Sequence, residues 1–164
     1  MANPSSGKLT TKFKGVVFDL DGTLINTLPD ILAALNQVIV GEGLREIHED
    51  EGKTFIGGGA YNLIEQAFLA IGINPEDPRV ETAFQQFLIR YEKDPTSRSQ
   101  IYPGAKDCLG TLQLSGIKMG VCTNKPIGLT RKIISEMAID HYFGGAILGG
   151  DSLDVRKPNP QHVI

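Results

Sequence analysis

The chain has 164 residues, 41% of them hydrophobic and 21% charged, enough for one domain with a real core or a core plus a small insert. Nineteen acidic residues face 16 basic ones, for a net charge of −3, and the basic residues form no run longer than the pairs Arg131-Lys132 and Arg156-Lys157. That balance argues against nucleic acid as a partner, because binding a phosphate backbone needs a basic face.

No stretch approaches the roughly 18 apolar residues of a membrane helix. The start, "MANPSSGKLTTKFK", lacks the apolar centre of a signal peptide. No membrane partner and a cytoplasmic location are therefore expected, with residues 1–12 as a flexible tail. Cys108 and Cys122 lie in apolar contexts without metal-ligand spacing, so reduced core cysteines are expected rather than a disulfide. His48, His141 and His162 show no ligand pattern and are assigned to loops or the surface.

The first element is "GVVFDL" (15–20), a short apolar run ending in "DGT", which suits a strand buried in a parallel sheet. A helix follows. Thr27 is its expected N-cap, Pro29 and Asp30 suit its first turn, Ile31, Leu35, Val38 and Ile39 form its apolar stripe, and Gly41 or Gly43 ends it. "AYNLIEQAFLAIG" predicts a second helix with Leu63, Ile64, Ala67, Phe68 and Ile71 on one side and Gly72 as its stop. "DPRVETAFQQFLIRYEK" predicts a third that buries Val80, Phe84, Phe87, Leu88 and Tyr91. Residues from about 28 to about 95 thus read as a helical block with no strand signal.

The pattern then changes. "PGAKDCLGTLQLSG" is a helix closed by Gly116, "IKMGVCTNK" (117–125) a buried strand, "PIGLTRKIISEMA" a helix and "GAILGGD" a short strand. Strands alternating with helices predict an α/β, Rossmann-like parallel core (residues 13–27 and 100–164) interrupted by a helical insert (28–99).

In such sheets ligands bind beyond the carboxyl ends of the strands. Asp19-Leu20-Asp21-Gly22-Thr23, Thr123-Asn124-Lys125 and Gly149-Gly150-Asp151 therefore gather at one edge. Asp19 and Asp21 repel each other unless a cation or proton intervenes. Mg²⁺ suits them, since it takes one or two carboxylates and keeps room for water and a phosphate. A plain Asx-type turn is the alternative. Gly57-Gly58-Gly59, ahead of a helix, either presents backbone N–H groups to an anion or is a flexible connection. Lys125 is divided between phosphate contact and surface charge, and Arg156 is expected to face solvent.

In order along the chain, "FDLDGTLINTLPDI", "VCTNK" and "KPNP" resemble the motifs of the haloacid-dehalogenase-like phosphohydrolase superfamily. "FIGGGAYNLIEQAF", "YPGA" and "GGDSLDVRKPNP" resemble its phosphoglycolate phosphatases. The resemblance implies Mg²⁺-dependent hydrolysis of a small phosphate ester, with Asp19 as nucleophile and Asp21 as acid and base. It implies Asp19 and Asp21 as metal ligands, Thr123 and the Asn124 backbone N–H as phosphoryl contacts, and Gly58 and Gly59 near the substrate. Lys157 would neutralise Asp19 and the phosphate together, with Pro158 restricting its backbone.

Two departures stand out. Asn26 replaces a frequent Asp. The acidic motif expected after the Lys-Pro segment is missing, because no acidic residue follows Asp154 and "GGDSLD" precedes Lys157. The chain therefore reads as C-terminally truncated, with its first strand as an exposed apolar edge open to self-association. An inactive fragment or a phosphate-binding module remains an alternative from another class. A sugar-phosphate mutase or a pyrophosphatase remains one within the superfamily.

Overall fold

The structure is a computed structural model that describes residues 13–163. The tail expected over residues 1–12 lies outside them. Three parallel strands, β1 (Gly15–Phe18), β4 (Lys118–Cys122) and β5 (Ile147–Leu148), form a sheet in the order β1-β4-β5. Val16 pairs with Met119, Phe18 with Val121, and Val121 in turn with Ile147. Parallel pairing demands crossover connections. Helix α6 (Ile127–Glu136) supplies the one from β4 to β5, and α5 (Ala105–Leu114) packs on β4 ahead of it. Within the described residues β1 is the sheet edge, and its Val17 is 53% exposed.

Between β1 and α5 the chain departs into four helices: α1 (Leu28–Gly41), α2 (Glu49–Phe55), α3 (Ala60–Ala70) and α4 (Arg79–Lys93). Their stripes interlock around Leu35, Ile39, Ile64, Phe68 and Phe87, all nearly free of solvent contact. Tyr61 and Phe84 meet edge to face, 5.1 Å between ring centroids. Helix α3 stops where its sequence indicates. Gly72 takes φ +81°, a conformation that costs other residues a Cβ clash, and the next N–H, of Ile73, bonds Phe68 O at 2.9 Å.

Two features of this block escape its hydrophobic pattern. Helix α2 carries "EDEGKTF", too short and polar to show a stripe. Its first turn is held by Glu51, whose carboxylate accepts the His48 N–H (3.0 Å) and the Arg45 guanidinium (2.7 and 2.9 Å). The strand β2 (Ile25–Asn26) pairs antiparallel with β3 (Gln100–Ile101), and two residues are too few for any alternation to register. This ribbon joins the two chain segments that enter and leave the helical block. Asp30 braces it from within α1. Its buried carboxylate accepts the Arg98 N–H (3.0 and 3.1 Å) and the hydroxyls of Ser97 and Ser99. Asp30 does stand in the first turn, but its oxygens are used on the return segment.

The two cysteines part ways. Cys122 is buried at the end of β4, whereas Cys108 is exposed on α5, so only one of them is a core residue. Cys108 stands between Asp107 and Leu109, and α5 buries only Leu109.

Candidate active site

The carboxyl ends of β1 and β4 and the loop after β5 converge as parallel topology requires. Asp19 follows β1 directly. One of its oxygens accepts the Leu20 N–H (2.8 Å) and the other meets the Lys157 ammonium at 2.8 Å. Lys157 lies more than a hundred residues away in sequence, yet its charge falls on the strand-end aspartate. Asp21 turns to a second cation. Its Oδ1 accepts the Thr27 hydroxyl at 2.6 Å and lies 3.3 Å from the Lys125 ammonium. Thr27 therefore opens α1 without capping it, because its hydroxyl is committed to Asp21.

Lys125 is not the surface charge that was one of its two expected roles. It is 6% exposed, its ammonium lies 3.0 Å from the Tyr91 hydroxyl and 4.4 Å from that ring's centroid, and it pairs with Asp21. Burial pulls its pKa down, and the charge of Asp21 and the hydrogen bond to it hold the ammonium up against that pull. Tyr91 belongs to α4. Burial, with the charges of Asp21 and Asp30 behind it, pushes its phenol well above the ordinary range, so the hydroxyl stays neutral. A bond thus runs from the helical block into the strand-end site. Nothing in "TNK" alone could reveal it, since the partner is a tyrosine 34 positions upstream whose stripe position marks it only as core.

Thr123 is 2% exposed, and its hydroxyl oxygen lies 3.3 Å from the Lys125 N–H. Asn124 spans two elements with one amide. Its Nδ2 donates to Gly57 O (2.8 Å) in the glycine loop and to Lys157 O (3.1 Å), and its buried Oδ1 has no partner among the described residues. The loop after β5 lies hard against this turn. A Cβ on Gly150 would sit 2.3 Å from the Asn124 carbonyl oxygen, so only glycine fits there.

These groups line one cavity of about 40 Å³, room for a few waters. Its polar wall is Asp19, Asp21, Thr123, Asn124 and Lys125. Its apolar wall comes mostly from the helical block, with Phe55, Ile56, Leu63 and Phe87, and is completed by Pro126 and Leu129 at the start of α6. Gly57 and Gly59 also line it, and Gly58 does not; a Cβ on Gly58 would meet the Asn62 side chain. Arg156 is exposed as expected, yet its guanidinium lies against Gly59, 3.4 Å from where a Cβ would stand. His48 and His141 are exposed, but His162 is fully buried, contrary to its assignment to a loop or the surface. In sequence it stands between Gln161 and Val163, with no pattern that marks it as core, and its ring meets Gly149 and Lys157.

Among the described residues no three His, Cys, Asp or Glu side chains gather as a metal cage. The donors at the strand end are two carboxylates beside a cavity. That set fits a hard cation that keeps most of its water, as Mg²⁺ does, better than one that needs an all-protein shell.

Comparison with known proteins agrees with this geometry. The family model described as haloacid dehalogenase-like hydrolase matches residues 16–164. A phosphoglycolate phosphatase of Cereibacter sphaeroides (strain ATCC 17029 / ATH 2.4.9) is 42% identical over 146 residues, 89% of this chain and 66% of that protein. Another, from Rhodospirillum rubrum, is 40% identical over 151 residues, 90% of this chain and 62% of the relative. The chain thus spans just under two thirds of the length of these curated relatives. The crystal structure of a predicted phosphoglycolate phosphatase from Haemophilus somnus 129pt superposes with a TM-score of 0.85 at 33% identity, covering 93% of this chain and 69% of that one. With strand-end aspartates, a distant lysine on the first of them and a family match across nearly its whole length, this chain belongs to the haloacid dehalogenase-like hydrolases.

Proposed function

We propose that this site hydrolyses a small phosphate monoester, with 2-phosphoglycolate as the favoured substrate, through an aspartyl-phosphate on Asp19. The observation that carries the reading is the 2.8 Å contact of Lys157 with Asp19, which lines one cavity with Thr123 and Asn124. A carboxylate cannot approach a phosphate dianion unaided, because like charges repel. Lys157 offsets part of that repulsion and lowers the cost of a nucleophile and substrate sharing one site.

The residues divide the work in two displacements. An Asp19 oxygen bonds to phosphorus as the ester P–O bond breaks, and Asp21 gives its proton to the departing alkoxide. Asp21 then takes a proton from water as that water attacks phosphorus. The acyl-phosphate bond breaks, and inorganic phosphate leaves with Asp19 restored. The Thr123 hydroxyl and the Asn124 N–H hold phosphoryl oxygens, and catalysis of this kind is mostly positioning and charge neutralisation. Asp19 and Asp21 would hold Mg²⁺, which when bound supplies charge neutralisation at the phosphoryl oxygens.

Residues 28–99 act in this reading as a cap. Their apolar wall and the small cavity limit the substrate's size, and the N–H groups at Gly59, which lines the cavity at the start of α3, suit a carboxylate. The relatives named phosphoglycolate phosphatase support the choice of ester.

A second reading, a phosphate-binding module without turnover, is favoured by one observation: the described residues supply only two carboxylates for a cation. Assaying the chain and Asp19→Asn with Mg²⁺ on 2-phosphoglycolate, a sugar phosphate and pyrophosphate separates these. The hydrolase reading expects phosphate release, fastest from 2-phosphoglycolate and abolished in Asp19→Asn. Phosphate binding with no release from any ester favours the module, and turnover that survives in Asp19→Asn sinks the mechanism.

A further inference from the structure

We propose that His162 is a positioning residue that fixes the backbone of Lys157 and so places its ammonium on Asp19. The inference rests on the reading of Lys157 as the group that neutralises Asp19 and phosphate. The ring is fully buried in a turn (Pro160–His162) that follows the Lys157-Pro158 pair. Its Nδ1 lies 3.1 Å from the Lys157 backbone nitrogen and its Nε2 lies 3.0 Å from Gly149 O. A backbone N–H can only donate, so Nδ1 is the acceptor. A carbonyl can only accept, so Nε2 carries the hydrogen. The contacts therefore select one neutral tautomer, with both ring nitrogens used.

The carbonyl of His162 is tied as well, accepting the Cys122 thiol at 3.4 Å at the end of β4. One residue thus joins the end of β4, the loop just after β5 and the Lys157 turn. Lys157 is held from both sides: its N–H by the His162 ring and its carbonyl by the Asn124 amide. Its side chain then reaches Asp19 Oδ2 at 2.8 Å. Gly149 O has a second donor in Ser152 N–H, but among the described residues the ring is the acceptor that the Lys157 N–H finds. An apolar side chain in this place would fill the volume and still leave that N–H without an acceptor. Placement matters here because a shift of about 1 Å in a reacting group can cost around 100-fold in rate.

The test compares wild type with His162→Asn, His162→Gln and His162→Leu in ¹⁵N-labelled chain. The Asn Oδ1 can stand in for Nδ1, whereas Gln reproduces mainly the Nε2 side. Long-range ¹H–¹⁵N spectra of wild type should show the Nε2–H tautomer. Lys157 amide exchange should speed up about tenfold or more in His162→Gln and His162→Leu, as expected when a protecting hydrogen bond is lost. The ammonium signal of Lys157, slowed in exchange by Asp19, should vanish in the same two variants. His162→Asn should restore both signals.

A role in packing alone predicts that Asn, the smaller side chain, does worse than Gln. That order, or an Nδ1–H tautomer in wild type, overturns the proposal. If His162→Leu does not fold, the Asn and Gln pair still decides. None of these readouts needs turnover, so a failed phosphatase assay counts against the hydrolase reading and leaves this one standing.

Discussion

Tyr91→Phe removes one oxygen from the bond that links α4 to the strand-end site. The hydroxyl lies 3.0 Å from the Lys125 ammonium, and Tyr91 and Lys125 are 1% and 6% exposed. Water cannot readily replace it. The ring stays, with its centroid 4.4 Å from the charge, so the cation–π contact survives the substitution. What is lost is a hydrogen bond to a charged group, about 1.5–3 kcal/mol. For a chain of this size each kcal/mol moves the midpoint by about 2–4 °C, so the melting temperature should fall by about 3–12 °C. Lys125→Met is also destabilising, because it leaves Asp21 with Thr27 alone as a hydrogen-bond donor. The double variant should fall short of the sum by about 0.5–3 kcal/mol, as expected for groups in contact. Urea unfolding of the four proteins measures this. A Tyr91→Phe protein within about 0.5 kcal/mol of wild type, additive with Lys125→Met, refutes the claim that this bond ties the helical block to the site.

The remaining predictions concern fit and charge. Gly150→Ala forces a Cβ toward the Asn124 carbonyl, 2.3 Å away, and should cost about 1–3 kcal/mol, read by urea unfolding, with phosphate affinity lowered as the Thr123–Lys125 turn shifts. Glu51 is held at a pKa of about 2, first by the Arg45 guanidinium and then by the His48 N–H. A depressed carboxylate stabilises the fold above its unfolded pKa, and that contribution is lost as pH falls to the folded value. The difference in melting temperature between wild type and Glu51→Gln should therefore shrink as pH drops from about 4.5 to about 2; a gap that stays constant over that window contradicts the assignment.

Much of this was legible because it depends on pattern or on topology. Apolar runs at 15–18 and 118–122 and stripes at 63–68 and 80–91 are the sheet and the helices, and parallel order alone sends Asp19, Thr123 and Asn124 to one edge. What escaped the sequence depends on contacts made only by folding. Helix α2 rests on a carboxylate cap rather than a stripe. Lys125 looks like surface charge until Tyr91 and Asp21 enclose it. His162 stands in no apolar pattern, and only the approach of Gly149 and Lys157 shows that both its nitrogens are used. Cys108 errs the other way: expected in the core, it lies exposed on α5 next to the charged Asp107.

In the proposed mechanism a carboxylate oxygen of Asp19, held by Lys157, takes the phosphoryl group. Quenching a reaction with borohydride tests it most directly, because an acyl-phosphate is reduced to an alcohol while a free carboxylate is untouched. Peptide mass spectrometry after incubation with 2-phosphoglycolate and Mg²⁺ should find homoserine at position 19, with Asp21 intact and no product in Asp19→Asn. Reduction at Asp21 or elsewhere, or steady phosphate release with position 19 unmodified, would contradict Asp19 as the nucleophile.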